Sequence, residues 1–147
     1  MQDAEKLAII AAGVFFLSGL LTGIWKYRQI MASDTSEAHP YVDICHRASL
    51  LYAFAAILLA KFAEISQLPA HVELAAMAAV LFYFATAIVT YAVHGFLADT
   101  TNQLKPPFHI GSATMPRAGI SIHMWMLIAA ELGGFLVLFY GVLVAIL

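Results

Sequence analysis

Four long apolar stretches limit what this chain can fold into more than any other feature of its sequence. They run over Leu7 to Trp25, Ala48 to Ala60, Leu74 to Val93 and Ala118 to Leu147. A helix of about 20 apolar residues is long enough to cross the hydrocarbon core of a bilayer. In hydrocarbon the backbone must satisfy its own hydrogen bonds, and a helix does so within one segment. The sequence therefore predicts an all-α protein, a bundle of four transmembrane helices.

The spans of this single integral membrane domain are predicted at about residues 6–28, 40–63, 72–96 and 118–146. The second has the shortest uncharged part, because Arg47 and Lys61 bound it. It crosses the bilayer only if it begins near Pro40 and its end charges reach the interfaces. Proline is favoured at the first position of a helix, which places His39 at or just outside the N-cap. We therefore expect His39 at the entrance of the bundle.

Composition agrees with a membrane protein and excludes several functions. Hydrophobic residues make up 63% of the chain and charged residues 11%, whereas soluble domains carry about 25% charged residues. No nucleotide-binding motif occurs, and no basic cluster with interleaved aromatic residues suggests a nucleic-acid surface. Cys45 is the only cysteine, so an intramolecular disulfide is impossible.

Positive charges are distributed unevenly over the two ends of the predicted bundle. One end, here called the loop face, holds the connections between spans one and two and between spans three and four, and carries Lys26, Arg28, Arg47, Lys105 and Arg117. The other end, the terminal face, holds both termini and carries only Lys6 and Lys61. The positive-inside rule places the loop face in the cytoplasm. We expect a bacterial inner membrane protein with both termini in the periplasm.

Most histidines share the loop face. These are His39, His46, His94, His109 and His123, whereas His71 falls near the terminal face. Several histidines without a CxxC, HExxH or carboxylate-rich run make a closed zinc site improbable. An apolar bundle with one or two inward histidines suits haem.

Two groups of polar residues near the loop face are candidates for chemistry. Asp43 precedes His46 by three residues and Arg47 by four, so these side chains can meet on one helical face. Asp43 then either orients the imidazole or forms an interfacial ion pair with the arginine. Tyr91 and His94 lie three residues apart at the end of the third span, just before the loop. They either line a pocket or belong to an interfacial belt.

Glu131 lies well within the fourth span, where an unpaired carboxylate is costly. It is therefore expected to be functional or to be a neutral carboxyl bonded to another helix. Ser18 and Thr22 of the first span are possible partners.

Two pairs of small residues with GxxxG-type spacing favour close helix contacts. Gly19 and Gly23 form such a pair in the first span, and Ala130 and Gly134 have the same spacing in the fourth. Small residues let two backbones approach closely in a membrane. The contacts lie either within one chain or between subunits.

Two short segments resemble a known family of small membrane proteins. Leu20-Leu21-Thr22-Gly23, followed by Ala38-His39 and a polar helix start, is similar to the four-helix family that contains styrene oxide isomerase and hydroxylaminobenzene mutase. The layout agrees over most of the chain. In the isomerase, the histidine of the matching Ala-His ligates haem b in a trimer, between neighbouring subunits. The resemblance implies that His39 binds the haem iron in a homotrimer. The family's Asn-Gly falls on Cys45-His46 here.

The resemblance implies a membrane haem-dependent isomerase or mutase. Its substrate would be a small apolar, aromatic epoxide or hydroxylamine, rearranged without net redox change while ferric haem acts as a Lewis acid. We predict His39 and His94 as cofactor-binding residues, and Tyr91, Asp43 and His46 as catalytic residues.

Two other functions are compatible with the sequence. The first is a noncatalytic b-type cytochrome, or an accessory subunit of a membrane complex, in which two histidines close both axial positions of the iron. The second is a cofactor-free scaffold or small transporter whose histidines make only interfacial hydrogen bonds.

Overall fold

A computed structural model describes residues 1–147 as four long helices with a small hairpin between the last two. The helices are α1 (Asp3–Ala32), α2 (Pro40–Ile65), α3 (Ala70–Leu97) and α4 (Arg117–Ile146). All four are long and apolar enough to cross a membrane. The predicted all-α four-helix bundle is confirmed, and the chain is an integral membrane protein. His39 is the N-cap of α2, as its position before Pro40 indicated.

The two central helices of the bundle are α2 and α3. Each of them contacts every other helix, while α1 packs chiefly on α2 and α4 chiefly on α3. The flanking helices expose most of their apolar side chains, as expected for surfaces that face lipid. The bundle therefore has α2 and α3 as its inner pair of helices, and α1 and α4 form its lipid-facing sides.

Small residues allow α1 and α2 to pack closely. Ala4, Ala8 and Ala12 recur every four residues of α1 and are buried. They share one core cluster with four buried alanines of α2, which are Ala53, Ala56, Ala60 and Ala63. In a membrane, such close contacts supply the van der Waals attraction that holds helices together.

The three glycines of the two small-residue pairs pack within the chain. Gly19 faces Leu50 of α2, and Gly23 faces the ring of His46. Gly134 of α4 lies against Val80 and the backbone of α3. The sequence left open whether such contacts form within one chain or between subunits. These glycines make their contacts within the chain.

The connection from α3 to α4, residues 98–116, contains a hairpin that the sequence analysis did not predict. Strand β1 (His109–Ile110) pairs antiparallel with β2 (Ala113–Thr114) through a two-residue turn. Gly111 opens the turn at φ +58°, a conformation that glycine adopts without steric cost. The dipeptide Gly111-Ser112 was the available signal, because such a pair between two short strands is typical of a hairpin turn.

Candidate functional site

A cavity of about 420 Å³ lies between the loop-face halves of α3 and α4, beneath the connection 98–116. We call it the loop-face cavity. Its wall is mainly apolar, with ten hydrophobic residues among sixteen. The polar and hydroxyl-bearing residues in the wall are Tyr52, Thr90, Tyr91, His94, Gln103, His109 and His123. Small-molecule sites combine such a volume and apolar lining with a few polar groups that fix orientation.

His94 lines the loop-face cavity and forms a buried polar pair with Asp99, which lies outside the cavity wall. Nδ1 of His94 lies 2.8 Å from Oδ1 of Asp99, and the two side chains are 4% and 6% exposed. A carboxylate can only accept a hydrogen bond, so Nδ1 of His94 carries a proton and donates it. Nε2 is thus the ring nitrogen of His94 available to a molecule in the cavity. A carboxylate that accepts a hydrogen bond from one ring nitrogen commonly orients a histidine whose other nitrogen binds a metal or acts in catalysis.

Asp99 reaches His94 because the chain reverses immediately after α3. Ala98 takes the left-handed conformation at φ +49°, and its N–H donates to the carbonyl of His94. Oδ2 of Asp99 then accepts the N–H of Gly111 at 2.6 Å. One carboxylate therefore joins the end of α3 to the hairpin above the cavity.

The protonation of Asp99 follows from these contacts. Burial raises the pKa of its carboxyl, but the hydrogen bonds from His94 and from the N–H of Gly111 outweigh burial. The pKa of Asp99 consequently lies below its ordinary value of 3.8. The carboxyl is ionised at neutral pH, which keeps it an acceptor for both donors.

Tyr41 connects three of the predicted site residues. Its ring stacks between His39 and Tyr91, with ring centroids 6.1 Å away on each side. The ring of His94 is closer, at 5.1 Å. The hydroxyl of Tyr41 also accepts the backbone N–H of Gln103, which anchors the connection 98–116. The structure thus brings His39, Tyr91 and His94 together around a tyrosine that the sequence analysis missed. Its place in the first turn of α2, two residues after His39, was the available signal.

His39 itself lies outside the wall of the loop-face cavity. Its Nδ1 accepts the N–H of Tyr41 at 3.3 Å and so caps α2. Its own backbone N–H donates to Oε1 of Gln29 at 2.9 Å. Because Nδ1 serves as an acceptor, a neutral His39 carries its proton on Nε2. In this arrangement, the half-buried ring presents an N–H rather than a lone pair to its surroundings.

Asp43 and His46 are placed on the α1 side of α2, apart from the loop-face cavity. Asp43 forms ion pairs with Arg47 at 2.8 Å and with Lys26 of α1 at 2.6 Å. The ring of His46 donates from Nδ1 to the carbonyl of Gly19 at 2.8 Å. Both side chains therefore hold α1 against α2, and neither joins Tyr91 and His94.

Glu131 has no hydrogen-bond partner for its buried Oε1. The hydroxyls proposed to bond it are used inside α1, where Ser18 donates to the carbonyl of Val14 and Thr22 to that of Ser18. The suggested bond between α1 and Glu131 is therefore absent. Glu131 lines a separate apolar cavity between α2, α3 and α4.

The side chains of the loop-face cavity define what it can hold. Nowhere in the chain do three or more His, Cys, Asp or Glu side chains lie together as metal ligands. The polar groups of the wall act singly: Nε2 of His94 is the ring nitrogen that Asp99 does not use, and the buried Oε1 of Gln103 has no hydrogen-bond partner.

The fold and the site define the protein's class as a four-helix integral membrane protein with an apolar cavity and a buried histidine–carboxylate pair at its loop face. Comparison of the chain with protein-family models, curated proteins and solved structures finds no match.

Proposed function

We propose that this protein is a membrane isomerase or mutase that rearranges a small apolar, oxygen-bearing molecule in the loop-face cavity, with haem b as its cofactor. The observation that carries the proposal is the buried pair of His94 and Asp99 at an apolar cavity of about 420 Å³. An apolar, aromatic epoxide or hydroxylamine matches the wall in polarity and can enter from the bilayer.

The chain's own residues supply orientation and the exclusion of water. Asp99 holds the ring of His94 in one position and one tautomer. The hydroxyl of Tyr91 is a donor or acceptor in the same wall, suited to move a proton at the substrate oxygen. The hydrophobic wall keeps water from trapping a cationic intermediate of the rearrangement. Asp43 and His46 act in this proposal only by fixing α2 against α1.

His94 is the favoured ligand of the haem iron. Its Nε2 is free and its Nδ1 is held by a carboxylate, the arrangement usual for a metal-binding histidine. A haem bound in this way would supply a Lewis-acidic iron that polarises the substrate oxygen. His39 is the second candidate. Its Nε2 must first lose its proton, or its cap on Tyr41 must break, before it can ligate iron.

Quaternary structure and orientation belong to the same proposal. A homotrimer belongs to the alternative in which His39, which lies outside the loop-face cavity, binds the haem and a neighbouring subunit completes the site. The positively charged loop face would lie in the cytoplasm of a bacterial inner membrane, and both termini in the periplasm.

A noncatalytic b-type cytochrome is the second candidate function. The observation that favours it is that His109 and His123 line the same cavity as His94. A second histidine from this set would hold the haem together with His94 and leave the iron no free position for a substrate.

Hemin titration of the purified protein tests the cofactor. In mild detergent, the wild type is expected to develop a Soret band, and His94→Ala is expected to lose it because the ligand is removed. His39→Ala is expected to retain the band. His71→Ala serves as the matched control, since this histidine lies at the terminal face. A wild type without a Soret band would contradict the haem proposal. Loss of the band in His39→Ala alone would place the haem between subunits.

Azide and a small aryl epoxide separate the two functions. An isomerase is expected to bind azide and to convert the epoxide into its carbonyl isomer without added reductant. A cytochrome with two histidine ligands resists azide and leaves the epoxide unchanged. Product analysis by gas chromatography provides the measurement.

A further inference from the structure

The apolar cavity around Glu131 is a second site, distinct from the loop-face cavity. We infer that it binds a lipophilic cation, an ammonium or phosphonium group on an apolar body, that enters from the bilayer. The two cavities share no lining residue. The inference is therefore independent of the proposed function.

The cavity is an apolar space with one ionisable group. Its volume is about 480 Å³, and eight of its nine lining residues are hydrophobic, leaving Glu131 as the exception. Leu58, Ile128 and Leu132 line it and are 49%, 42% and 57% exposed on the outer surface of the bundle. The mouth of the cavity therefore opens toward the lipid, and a molecule dissolved in the bilayer can reach it.

Charge complementarity identifies the ligand. A carboxyl at this depth is stable when it is neutral or when a cation pairs with it. The chain supplies no such cation, because none of its ion pairs includes Glu131. Its buried Oε1 also lacks a hydrogen-bond donor. A ligand cation would exchange for the carboxyl proton, which leaves to the solvent, and the resulting ion pair would lie in a low dielectric.

Two aromatic rings in the wall favour the same class of ligand. Phe84 and Phe135 line the cavity together with Glu131. Phe84 is fixed by stacking on Tyr52, with ring centroids 4.1 Å apart. Phe135 is held by Phe62 and Phe139 at 6.0 and 5.7 Å. The faces of aromatic rings attract cations, most strongly when the ring is desolvated. Carboxylate and rings together recognise positive charge on an apolar body.

The dimensions of the cavity favour a small molecule over a transmembrane helix. The space is bounded by α2, α3 and α4 and contacts only about two turns or fewer of any one of them. A helix with its side chains is about 10 Å wide and needs a groove along its whole length. A compact organic cation fits the volume of this cavity.

Equilibrium dialysis of purified protein in mild detergent tests the inference with tetraphenylphosphonium. The wild type is expected to bind it saturably, one per chain. Tetraphenylborate has the same shape and the opposite charge, and triphenylphosphine oxide is a neutral hydrogen-bond acceptor; both are expected to bind weakly. Glu131→Gln should lower the affinity for the cation at least about tenfold, equivalent to about 1.4 kcal/mol. Glu131→Asp should keep part of it.

Glu64→Gln is the matched control, because Glu64 is an exposed carboxyl paired with Lys61. It is expected to bind tetraphenylphosphonium like the wild type. Leu132→Trp fills the mouth of the cavity and should weaken binding of the cation while Glu131 is kept. This variant tests the inference even if Glu131→Gln does not fold. Unchanged affinity in both variants, equal binding of the borate or the oxide, or no binding by the wild type would each overturn the inference.

Discussion

Replacing Asp99 with alanine is expected to lower the free energy of unfolding by about 3 kcal/mol, because the buried pair with His94 is broken. The side chains of this pair are 4% and 6% exposed, so water cannot replace the lost contacts. The N–H of Gly111 also loses its acceptor, and the hairpin loses its tie to α3. Unfolding by dodecyl sulfate in mixed micelles, followed by circular dichroism, provides the measurement.

Two variants control for the loss of a carboxylate as such. Asp99→Asn keeps the shape of the side chain, and its oxygen can accept from Gly111 while its amino group donates to His94. Its loss should be smaller, about 1 kcal/mol. Asp34→Ala removes an exposed aspartate from the first connection and should have little effect. If Asp99→Ala is as stable as Asp34→Ala, Asp99 does not hold the connection 98–116.

Acid is expected to remove the same stabilisation in the wild type. The pKa of Asp99 is lowered in the folded chain, so the folded state binds this proton less readily than the unfolded chain. Its contribution is complete above the unfolded pKa of 3.8 and is lost as the pH falls through the lower folded value. The difference in unfolding free energy between wild type and Asp99→Asn should therefore narrow below about pH 4. A difference that widens toward acid would contradict this assignment.

Gly134→Leu is expected to destabilise the bundle by about 3 kcal/mol, because a side chain there overpacks the contact between α4 and α3. A Cβ at this position would lie 2.5 Å from Cγ2 of Val80 and 2.8 Å from the carbonyl oxygen of Ala76. The second contact is with the backbone and cannot be relieved by a change of rotamer. Thermal unfolding in detergent measures the loss.

Gly133→Leu is the matched control for this substitution. It adds the same side chain to the neighbouring residue of α4, but a Cβ there meets no atom within 4 Å. The new leucine would point into lipid, where it is compatible with the bilayer. Equal losses in the two variants would mean that intrinsic helix effects, rather than the contact with α3, control the result.

The helices could be predicted from the sequence because their cause is local. Each helix satisfies its backbone hydrogen bonds within one apolar segment, and the length of that segment alone decides whether it crosses a bilayer. The start of α2 is equally local, since proline fixes the first turn and His39 becomes the cap. The glycine spacing predicted close helix packing but not which helix each glycine would contact. Those contacts depend on where α2 and α3 lie in the bundle.

The candidate site was only partly predictable, because its contacts join residues that are distant in the chain. The sequence placed Tyr91 and His94 near the loop face, just before the connection that contains Asp99. Whether Asp99 would turn back to His94 depended on the left-handed Ala98 and on the hairpin, which the analysis did not foresee. Tyr41 was missed for the same reason, since its partners lie on α3 and in the connection 98–116.

By itself, the sequence determined four membrane helices and one histidine-rich face, because hydropathy and backbone hydrogen bonding act over short segments. Only the tertiary structure decided which contacts the individual side chains make. It committed Asp43 and His46 to the contact with α1, and set His94 on an apolar cavity. It also left Glu131 without a partner. These outcomes depend on which helix faces lie against one another, and packing settles that only when all four helices are in place.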